Sequence, residues 1–157
     1  MAQNVDGMTT LTTAMIQIRE CKAEDFDGVV ALLGQLWPGK QLDSVSLRRV
    51  YDRTLASNRQ VYLCAESGQR VVGFGSLTIK SNLWNEAFVG FVDEMVVDGA
   101  HRGRGIGTQI LDHLISWAHE RGCNRIELDS AFHRKDAHTF YERRGFQSRA
   151  FLFSKLL

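Results

Sequence analysis

Two adjacent carboxylates, Asp93 and Glu94, interrupt an otherwise apolar stretch from Ala87 to Val97. Burying an ionised group costs free energy unless it faces water, a partner or a cavity. Carboxylates in such a place are candidates for a general base. In a regular strand the two neighbours would point to opposite faces, and only a bulge would bring them together. A pair of salt-bridged structural carboxylates is the alternative interpretation.

A glycine-rich segment follows this stretch directly. Glycines let the backbone turn sharply and let a ligand approach it closely. The periodic apolar residues behind them predict a long helix, whose first N–H groups and positive dipole end favour a phosphate. The segment is neither a Walker A loop nor a G-x-G-x-x-G dinucleotide fingerprint. Its spacing therefore predicts either a pyrophosphate cradle or a tight strand-to-helix turn in the run Arg102-Gly103-Arg104-Gly105-Ile106-Gly107-Thr108.

The elements that must position these residues follow from hydrophobic periodicity. A strand, helix and strand around the glycines should form a right-handed parallel unit, whereas the earlier strands should form antiparallel hairpins. The predicted fold class is therefore α/β, with a mixed, mostly antiparallel central sheet and helices on both faces. Strands are predicted at 16–21, 60–66, 70–79, 87–97, 124–129 and within 146–156, and helices at 23–36, 42–56, 105–121 and 135–144.

Length and composition narrow the function classes. The length of 157 residues predicts one domain over 16–157, preceded by a flexible leader over 1–15. The net charge of +1 gives no global field that would favour nucleic acid or an acidic membrane. The leader lacks the features of a signal peptide, and no run reaches the roughly 18 apolar residues of a membrane span. Cys21, Cys64 and Cys123 are far apart without metal-ligand spacing, which favours reduced thiols in the cytoplasm.

Two motifs carry a resemblance to a known family. The glycine-rich segment resembles the Arg/Gln-x-x-Gly-x-Gly/Ala signature of the GNAT superfamily of acetyl-coenzyme-A-dependent N-acetyltransferases. The segment from Ala137 to Phe146 resembles the A-x-x-F-Y-x-x-x-G-F segment of the same superfamily, and Ile18-Arg19 with Asp25 is similar to its N-terminus. The likeness covers about residues 16–157. It implies that the parallel pair of strands splays apart at a cofactor cleft.

The resemblance implies acetyl-CoA as co-substrate and assigns residues to it. Backbone N–H groups of the glycine-rich segment would bind the pyrophosphate, and its two arginines would add charge or be ordinary solvated surface. The pantetheine arm would pair with the preceding strand as an added strand does. Arg134 stands where many members have Asn, so it would contact a phosphate or leave that contact unmade. No metal is expected, and the residues assigned to the cofactor are Met95, Val96, Val97, Arg102, Gly103, Arg104, Gly105, Ile106, Gly107, Thr108 and Arg134.

The implied reaction is transfer of an acetyl group to a primary amine by direct attack. Tyr141 would be the general acid for the departing thiolate, because a phenol with a pKa near 10 is protonated at neutral pH. Asp93 or Glu94 would be the general base, through a water relay, and Asp93 is narrowly favoured. A core tyrosine with a satisfied hydroxyl is the alternative for Tyr141. A non-catalytic acetyl-CoA-binding sensor or regulatory module is the alternative for the whole protein.

The acceptor would lie in a pocket shaped by the first two helices, their loop and the connection Lys80–Glu86. Aromatic and acidic residues there suit a cationic, partly apolar amine, and they equally suit plain hydrophobic filling. A small-molecule amine, a protein lysine and a protein N-terminus are all open as acceptors. The apolar last strand suggests a homodimer edge, and neither nucleic acid nor membrane is expected as a partner. The residues predicted for the pocket are Trp37, Gln41, Tyr51, Trp84 and Glu86.

Overall fold

The computed structural model describes residues 15–157, so the predicted leader lies outside the described residues apart from Met15. No helix within this range is both long enough and apolar enough to cross a membrane. The strands are β1 (Ile16–Glu20), β2 (Gln60–Ser67), β3 (Arg70–Asn82), β4 (Ala87–Val97) and β5 (Cys123–Leu128). The helices are α1 (Phe26–Leu36), α2 (Ser44–Leu55), α3 (Ile106–Glu120) and α4 (Lys135–Glu142), with 3-10 turns at Ala23–Asp25 and Gly99–His101.

The five strands form one sheet in the order β1-β2-β3-β4-β5. Neighbours from β1 to β4 are antiparallel, whereas β4 and β5 are parallel and connected through α3. The predicted mixed sheet is therefore confirmed. Pairing of β5 with β4 ends at Val92 and Leu128, although β4 continues to Val97. The two strands thus separate beyond Val92, which leaves one edge of β4 without a strand partner among residues 15–157.

Helix α3 packs closely on one face of the sheet. Ile106, Ile110 and Leu114 are at most 1% exposed there. Two glycines of β3 make this approach possible, because a Cβ at Gly75 would lie only 2.4 Å from Ile110 and one at Gly73 only 2.8 Å from it. The close contact fixes α3, and with it the glycine-rich segment at its N-terminus, against the end of β4.

Helices α1 and α2 cover the opposite face. Apolar residues of α1, including Val29 and Leu32, pack with Phe74 of β3 and Val96 of β4. Helix α2 begins after Asp43, whose side chain accepts hydrogen bonds from the N–H groups of the second and third residues that follow. This N-cap explains why α2 starts at Ser44, within the range expected from the sequence.

The predicted strand within 146–156 is wrong, because residues 143–157 contain no strand. A strand needs a neighbour for its backbone N–H and C=O groups, and no other strand of the described chain pairs with this segment. Its apolar side chains are largely exposed: Phe151 by 74%, Leu152 by 70%, Phe153 by 90% and Leu156 by 96%.

The expectation of three reduced thiols is also wrong for one pair. Cys21, just after β1, and Cys64 in β2 form a buried disulfide with a Cα–Cα distance of 5.5 Å. The two residues are 43 apart in the sequence and are brought together by the antiparallel pairing of β1 with β2. Cys123 is a buried free thiol.

We expect that reducing the Cys21–Cys64 bond lowers the free energy of unfolding by about 4 kcal/mol, because the bond closes a loop of 43 residues. Urea denaturation of the protein with and without dithiothreitol measures this difference. Cys64→Ala should be insensitive to the reductant, whereas Cys123→Ala should respond as the unchanged protein does. A reductant effect of equal size in Cys64→Ala would contradict the assignment.

Candidate active site

A β-bulge in β4 places the two predicted carboxylates on the same face of the sheet. The β3–β4 register shifts at Ser76, which alone faces Asp93 and Glu94. Thr78 Oγ1 donates to Asp93 Oδ2 at 2.6 Å, and Ser76 Oγ donates to a carboxylate oxygen of Glu94. Because Ser76 and Thr78 are two residues apart on β3, their side chains share a face, and so do the carboxylates that they hold. This is the face that α1 and α2 cover.

Both carboxyl groups resist ionisation more than exposed ones do. Burial raises the pKa of Glu94, and the negative charges of Asp93 and Asp129 raise it further. Loss of hydration likewise raises the pKa of Asp93, although its side chain is the more exposed of the two. The positive charge of Lys40 acts in the opposite direction on Glu94. A carboxylate with a raised pKa is a stronger base, which suits it to accept a proton from an ammonium group.

Sequence reasoning missed Asp129, a third carboxylate at this place. Val92 and Leu128 are the last paired residues of the parallel strands β4 and β5, so Asp93 and Asp129 follow side by side. The charge of Asp129 raises the pKa of both Asp93 and Glu94. The signal was available in the sequence, because polar residues directly after parallel strands meet at the same edge of a sheet.

Tyr141 lies near the end of α4 and presents an unbonded hydroxyl. Its ring packs edge-on against Phe140 and Phe146, with centroid distances of 5.2 Å and 5.6 Å. Burial raises the pKa of Tyr141, and the positive charge of Arg134 opposes this shift. The hydroxyl has no hydrogen-bond partner among residues 15–157, whereas the hydroxyl of Tyr51 donates to Lys22 O at 2.8 Å. Tyr141 therefore has a proton available for a bound substrate.

The glycine-rich segment forms an open cradle at the start of α3. Gly103 and Gly105 have φ angles of 74° and 76°, which glycine adopts without strain, and nothing lies within 4 Å of a Cβ at either position. The first backbone hydrogen bond of α3 runs from Gln109 N to Gly105 O at 3.1 Å. The N–H groups of the first helical residues are therefore free of intrahelical bonds, as suits an anion. These residues are Ile106, Gly107 and Thr108.

The loop between β4 and the cradle is tied to α1. Gln35 donates to Asp98 Oδ1 at 2.9 Å and accepts from Gly99 N at 3.0 Å. Asp98 also bonds to His101 Nδ1 at 2.7 Å, and hydrogen bonds from Gln35 and His101 lower the pKa of Asp98. This network holds the segment that leads into the cradle.

The predicted cofactor residues of β4 and of the cradle form one continuous edge. The free edge of β4 includes Met95, Val96 and Val97, and Arg102 Nε donates to Val97 O at 3.1 Å. Gly107 lies at the base of the cleft, since a Cβ there would be 3.7 Å from Val97 and 3.7 Å from Phe140. An open strand edge that continues into a helix N-terminus fits an extended arm ending in a pyrophosphate.

Two arginines that flank α4 make side-chain contacts that could not be read from the sequence. Arg144 donates to Thr108 Oγ1, and its guanidinium lies 4.3 Å from the ring centroid of Phe140, so it ties the end of α4 to the first turn of α3. Arg134, at the start of α4, donates instead to Leu36 O at the end of α1. Its side chain therefore crosses to the α1 side of the cleft.

A small aromatic cleft lies between α1, α2 and the sheet, with Glu94 among its lining residues. Trp37 lines it, as predicted. The ring of Tyr51 also lines it, but its hydroxyl is engaged with Lys22 O. Gln41 is exposed on the loop between α1 and α2.

The prediction that Trp84 and Glu86 shape the acceptor pocket is wrong. Both residues belong to the turn between β3 and β4, at the N-terminal end of β4. Asp93 follows Glu86 by seven residues along the strand, which corresponds to roughly 20 Å. The turn therefore lies at the end of β4 remote from the carboxylates.

Comparison with known proteins identifies the family. The model of the acetyltransferase (GNAT) family matches residues 26–146. An aminoalkylphosphonate N-acetyltransferase of Salmonella typhimurium is 33% identical over 141 residues, which cover 90% of this chain and 91% of that protein. A glucosamine 6-phosphate N-acetyltransferase of Trypanosoma brucei brucei is 29% identical over 135 residues, which cover 85% of this chain and 90% of that protein.

A solved structure agrees with the sequence relatives. The crystal structure of a transcriptional regulator from Bacillus halodurans C-125 superimposes with a TM-score of 0.84 at 26% identity, covering 91% of this chain and 100% of that one. The chain therefore belongs to the GNAT family of acetyltransferases, as its motifs predicted. It is an acetyl-CoA-dependent N-acyltransferase.

Proposed function

We propose that this enzyme transfers the acetyl group of acetyl-CoA to the primary amine of a small molecule that also carries a phosphonate or phosphate group. The observation that carries the proposal is the pair of carboxylates with raised pKa on one face of β4, directly before the free strand edge. The acceptor class is supported by the two relatives, which by their names act on an aminoalkylphosphonate and on glucosamine 6-phosphate. Both are amines that carry a phosphorus oxyanion.

In the proposed reaction, Glu94 accepts a proton from the ammonium group of the acceptor through a water molecule. The neutral nitrogen then attacks the thioester carbonyl carbon, the C–N bond forms, and the C–S bond breaks with its electron pair on sulfur. Tyr141 donates its phenolic proton to that sulfur, and the second proton that the nitrogen must lose to become an amide returns to the Tyr141 oxygen through water. Backbone N–H groups of the β4 edge at Met95–Val97 stabilise the negative charge on the carbonyl oxygen. The free edge of β4 and the cradle hold the cofactor.

Glu94 is proposed as the base in preference to Asp93, which the sequence alone narrowly favoured. Glu94 lines the aromatic cleft, is the less exposed of the two and is held by Ser76. Asp93 and Asp129, beside it, would attract the ammonium group and keep it charged until the proton leaves. The three carboxylates together favour a cationic amine over a neutral one.

Release of free thiol from acetyl-CoA, measured with a panel of acceptors, tests the proposal. The panel contains 2-aminoethylphosphonate, glucosamine 6-phosphate, propylamine and a lysine-containing peptide. We expect a phosphorus-containing amine to give the highest kcat/KM. Turnover of the peptide without turnover of any small amine would contradict the acceptor class, and turnover of none would contradict acetyl transfer to primary amines.

We further propose that residues 16–157 act as one catalytic domain in the cytoplasm. Disulfides are rare in that compartment, so an intact Cys21–Cys64 bond in protein taken from cells with its thiols blocked would contradict this location. Proteolysis of the protein bound to acetyl-CoA should leave the chain from about Ile16 onwards intact.

The exposed C-terminal segment supports a homodimer. It carries Phe151, Leu152 and Phe153 with most of their surface in water. In the same molecule the outer edge of β5 (Cys123–Leu128) has no strand partner within residues 15–157. Each chain thus offers both an apolar segment and a free strand edge, which allows two copies to pair symmetrically. We propose that the segment of one copy adds to β5 of the other.

We expect the full chain to be a dimer in solution at micromolar concentration, and Phe151→Ser/Phe153→Ser to be a monomer. Both changes remove apolar surface that the partner copy would bury in the proposed dimer. Multi-angle light scattering gives the mass of each species. Lys155→Ser, in the same segment, serves as the control that should stay dimeric. A monomeric unchanged protein, or a double variant that is still a dimer, would contradict the pairing.

A further inference from the structure

Arg134 is a half-buried cation without an acidic partner. Its guanidinium donates to Leu36 O, and no carboxylate of residues 15–157 lies within 4.0 Å of it. A guanidinium carries five N–H donors, so most of its capacity is free for a ligand. Partly buried charges are normally paired, and a half-buried arginine without a carboxylate is suited to an anion from outside the chain.

The hydrogen bond of Arg134 places its guanidinium at the C-terminal end of α1. It connects the start of α4 with the end of α1, although the two residues are 98 apart in the sequence. The positive charge of Arg134 reaches Tyr141, whose pKa it lowers against the effect of burial. Arg134 is therefore bonded to the end of α1 and also acts electrostatically on the proposed general acid.

Lys40 supplies a second cation on the same side. It follows Leu36 and Trp37 on the loop after α1, and its Nζ lies 4.8 Å from the ring centroid of Trp37. Its positive charge lowers the pKa of Glu94, against the larger effect of burial. No carboxylate of the described residues forms an ion pair with it. Arg134 thus contacts Leu36 at one end of the segment Leu36–Lys40, and Lys40 is the residue at the other end.

The cleft therefore carries opposite charges at two places. Asp93, Glu94 and Asp129 lie together at the splayed ends of β4 and β5, whereas Arg134 and Lys40 lie by the C-terminal end of α1. A ligand with an ammonium group at one end and an anion at the other would match both groups. Arginine and lysine together suit a tetrahedral oxyanion, which can accept several hydrogen bonds at once.

We propose that Arg134 and Lys40 bind the phosphonate or phosphate group of the acceptor and so select a zwitterionic amine. The inference rests on the proposed function, because it assigns the residues that recognise that acceptor. It gives Arg134 a role on the acceptor, in place of the cofactor contact that the sequence suggested. Lys80 is another cation near the carboxylates. It lies over the ring of Phe91, and its charge lowers the pKa of Asp93.

Steady-state kinetics of Arg134→Gln and Lys40→Gln test the proposal with two acceptors of equal chain length. The acceptors are 2-aminoethylphosphonate and propylamine, which differ in the anion only. We expect the ratio of kcat/KM for the phosphonate to that for propylamine to fall about 10- to 100-fold in each variant, through KM for the phosphonate. Arg143→Gln, which changes an exposed arginine at the end of α4, is the matched control and should keep the ratio.

A binding measurement separates recognition from chemistry. Methylphosphonate has no amine, so its inhibition of the unchanged enzyme should be competitive with the acceptor and should weaken by a similar factor in both variants. Equal losses with both acceptors would overturn the proposal, and so would a rise in KM for acetyl-CoA that matches the rise for the phosphonate. A change confined to kcat, with a shifted alkaline limb of the pH profile, would assign Arg134 to Tyr141 instead.

The outcomes also distinguish this inference from the proposed function. If the unchanged enzyme prefers 2-aminoethylphosphonate and both variants keep that preference, the anion site is overturned while the proposed function stands. An enzyme that acetylates no amine would overturn the proposed function itself. O-phosphoethanolamine, compared with 2-aminoethylphosphonate, shows whether the natural anion is a phosphate ester or a phosphonate, and the variants should weaken both.

Discussion

Replacing Tyr141 with phenylalanine is expected to lower kcat about 100- to 10,000-fold, while the Kd for acetyl-CoA changes by less than about threefold. The ring contacts Phe140 and Phe146 edge-on, and phenylalanine preserves these contacts. The hydroxyl has no partner within residues 15–157, so its removal leaves no buried polar group unsatisfied. Only the proton that it would give to the departing sulfur is lost.

Single-turnover kinetics and calorimetric titration with CoA measure the two quantities for Tyr141→Phe. Tyr51→Phe is the matched control, because it removes a hydroxyl whose bond to Lys22 O is structural. That control should lose stability and keep its kcat. If Tyr141→Phe loses affinity for CoA as strongly as it loses kcat, the hydroxyl has a binding role and Tyr141 is not the acid.

Replacing Glu94 with glutamine is expected to lower kcat/KM about 100- to 1,000-fold and to abolish the acid limb of its pH profile. Burial raises the pKa of Glu94, so protonation inactivates the base at a higher pH than for an exposed glutamate. The rate of the unchanged enzyme should therefore rise with pH through this raised pKa. Asp93→Asn should cause the smaller loss and keep the limb.

The stability of the Glu94 variant provides an independent readout. A carboxyl whose pKa is raised by folding destabilises the native state as the pH rises above its unfolded value of about 4.3. Glutamine has no charge to bury, so Glu94→Gln should be at least as stable as the unchanged enzyme at pH 7. If Glu94→Gln lowers kcat/KM without lowering stability, the result supports a catalytic role for Glu94. If Asp93→Asn proves slower than Glu94→Gln, Asp93 is the base.

Much of the fold is encoded locally and could be predicted. The apolar positions of α1 and α3 recur at helical spacing, and Asp43 marks the start of α2 through its own side chain. The strand from Ala87 to Val97 was predicted with its observed bounds because apolar residues at both parities predict a strand covered on both faces. A turn at the glycines before α3 could also be predicted, whereas its interpretation as a pyrophosphate cradle depended on the family resemblance.

The features that could not be predicted depend on contacts between distant segments. The Cys21–Cys64 bond follows from the register of β1 with β2, which neither strand reveals by itself. The direction of Asp93 and Glu94 depends on the single position where β4 gains a residue over β3. The apolar C-terminal residues have the composition of a strand, but composition does not indicate whether a partner strand lies within the same chain.

The bulge of β4 opposite Ser76 determines which mutations the strand can accept at the site. Val92 and Met95 both contact the α3 side of the core, with two residues between them where a regular strand would have one. Deleting the codon for Asp93 would restore simple alternation, and every apolar side chain of β4 would stay on its own face. A single-residue insertion or deletion can thus change the number of carboxylates beside the proposed acceptor amine. Met95, Val96 and Val97 keep their pairing with β3 in either case. In the proposed arrangement, such a change would alter the acceptor site and leave the acetyl-CoA site unchanged.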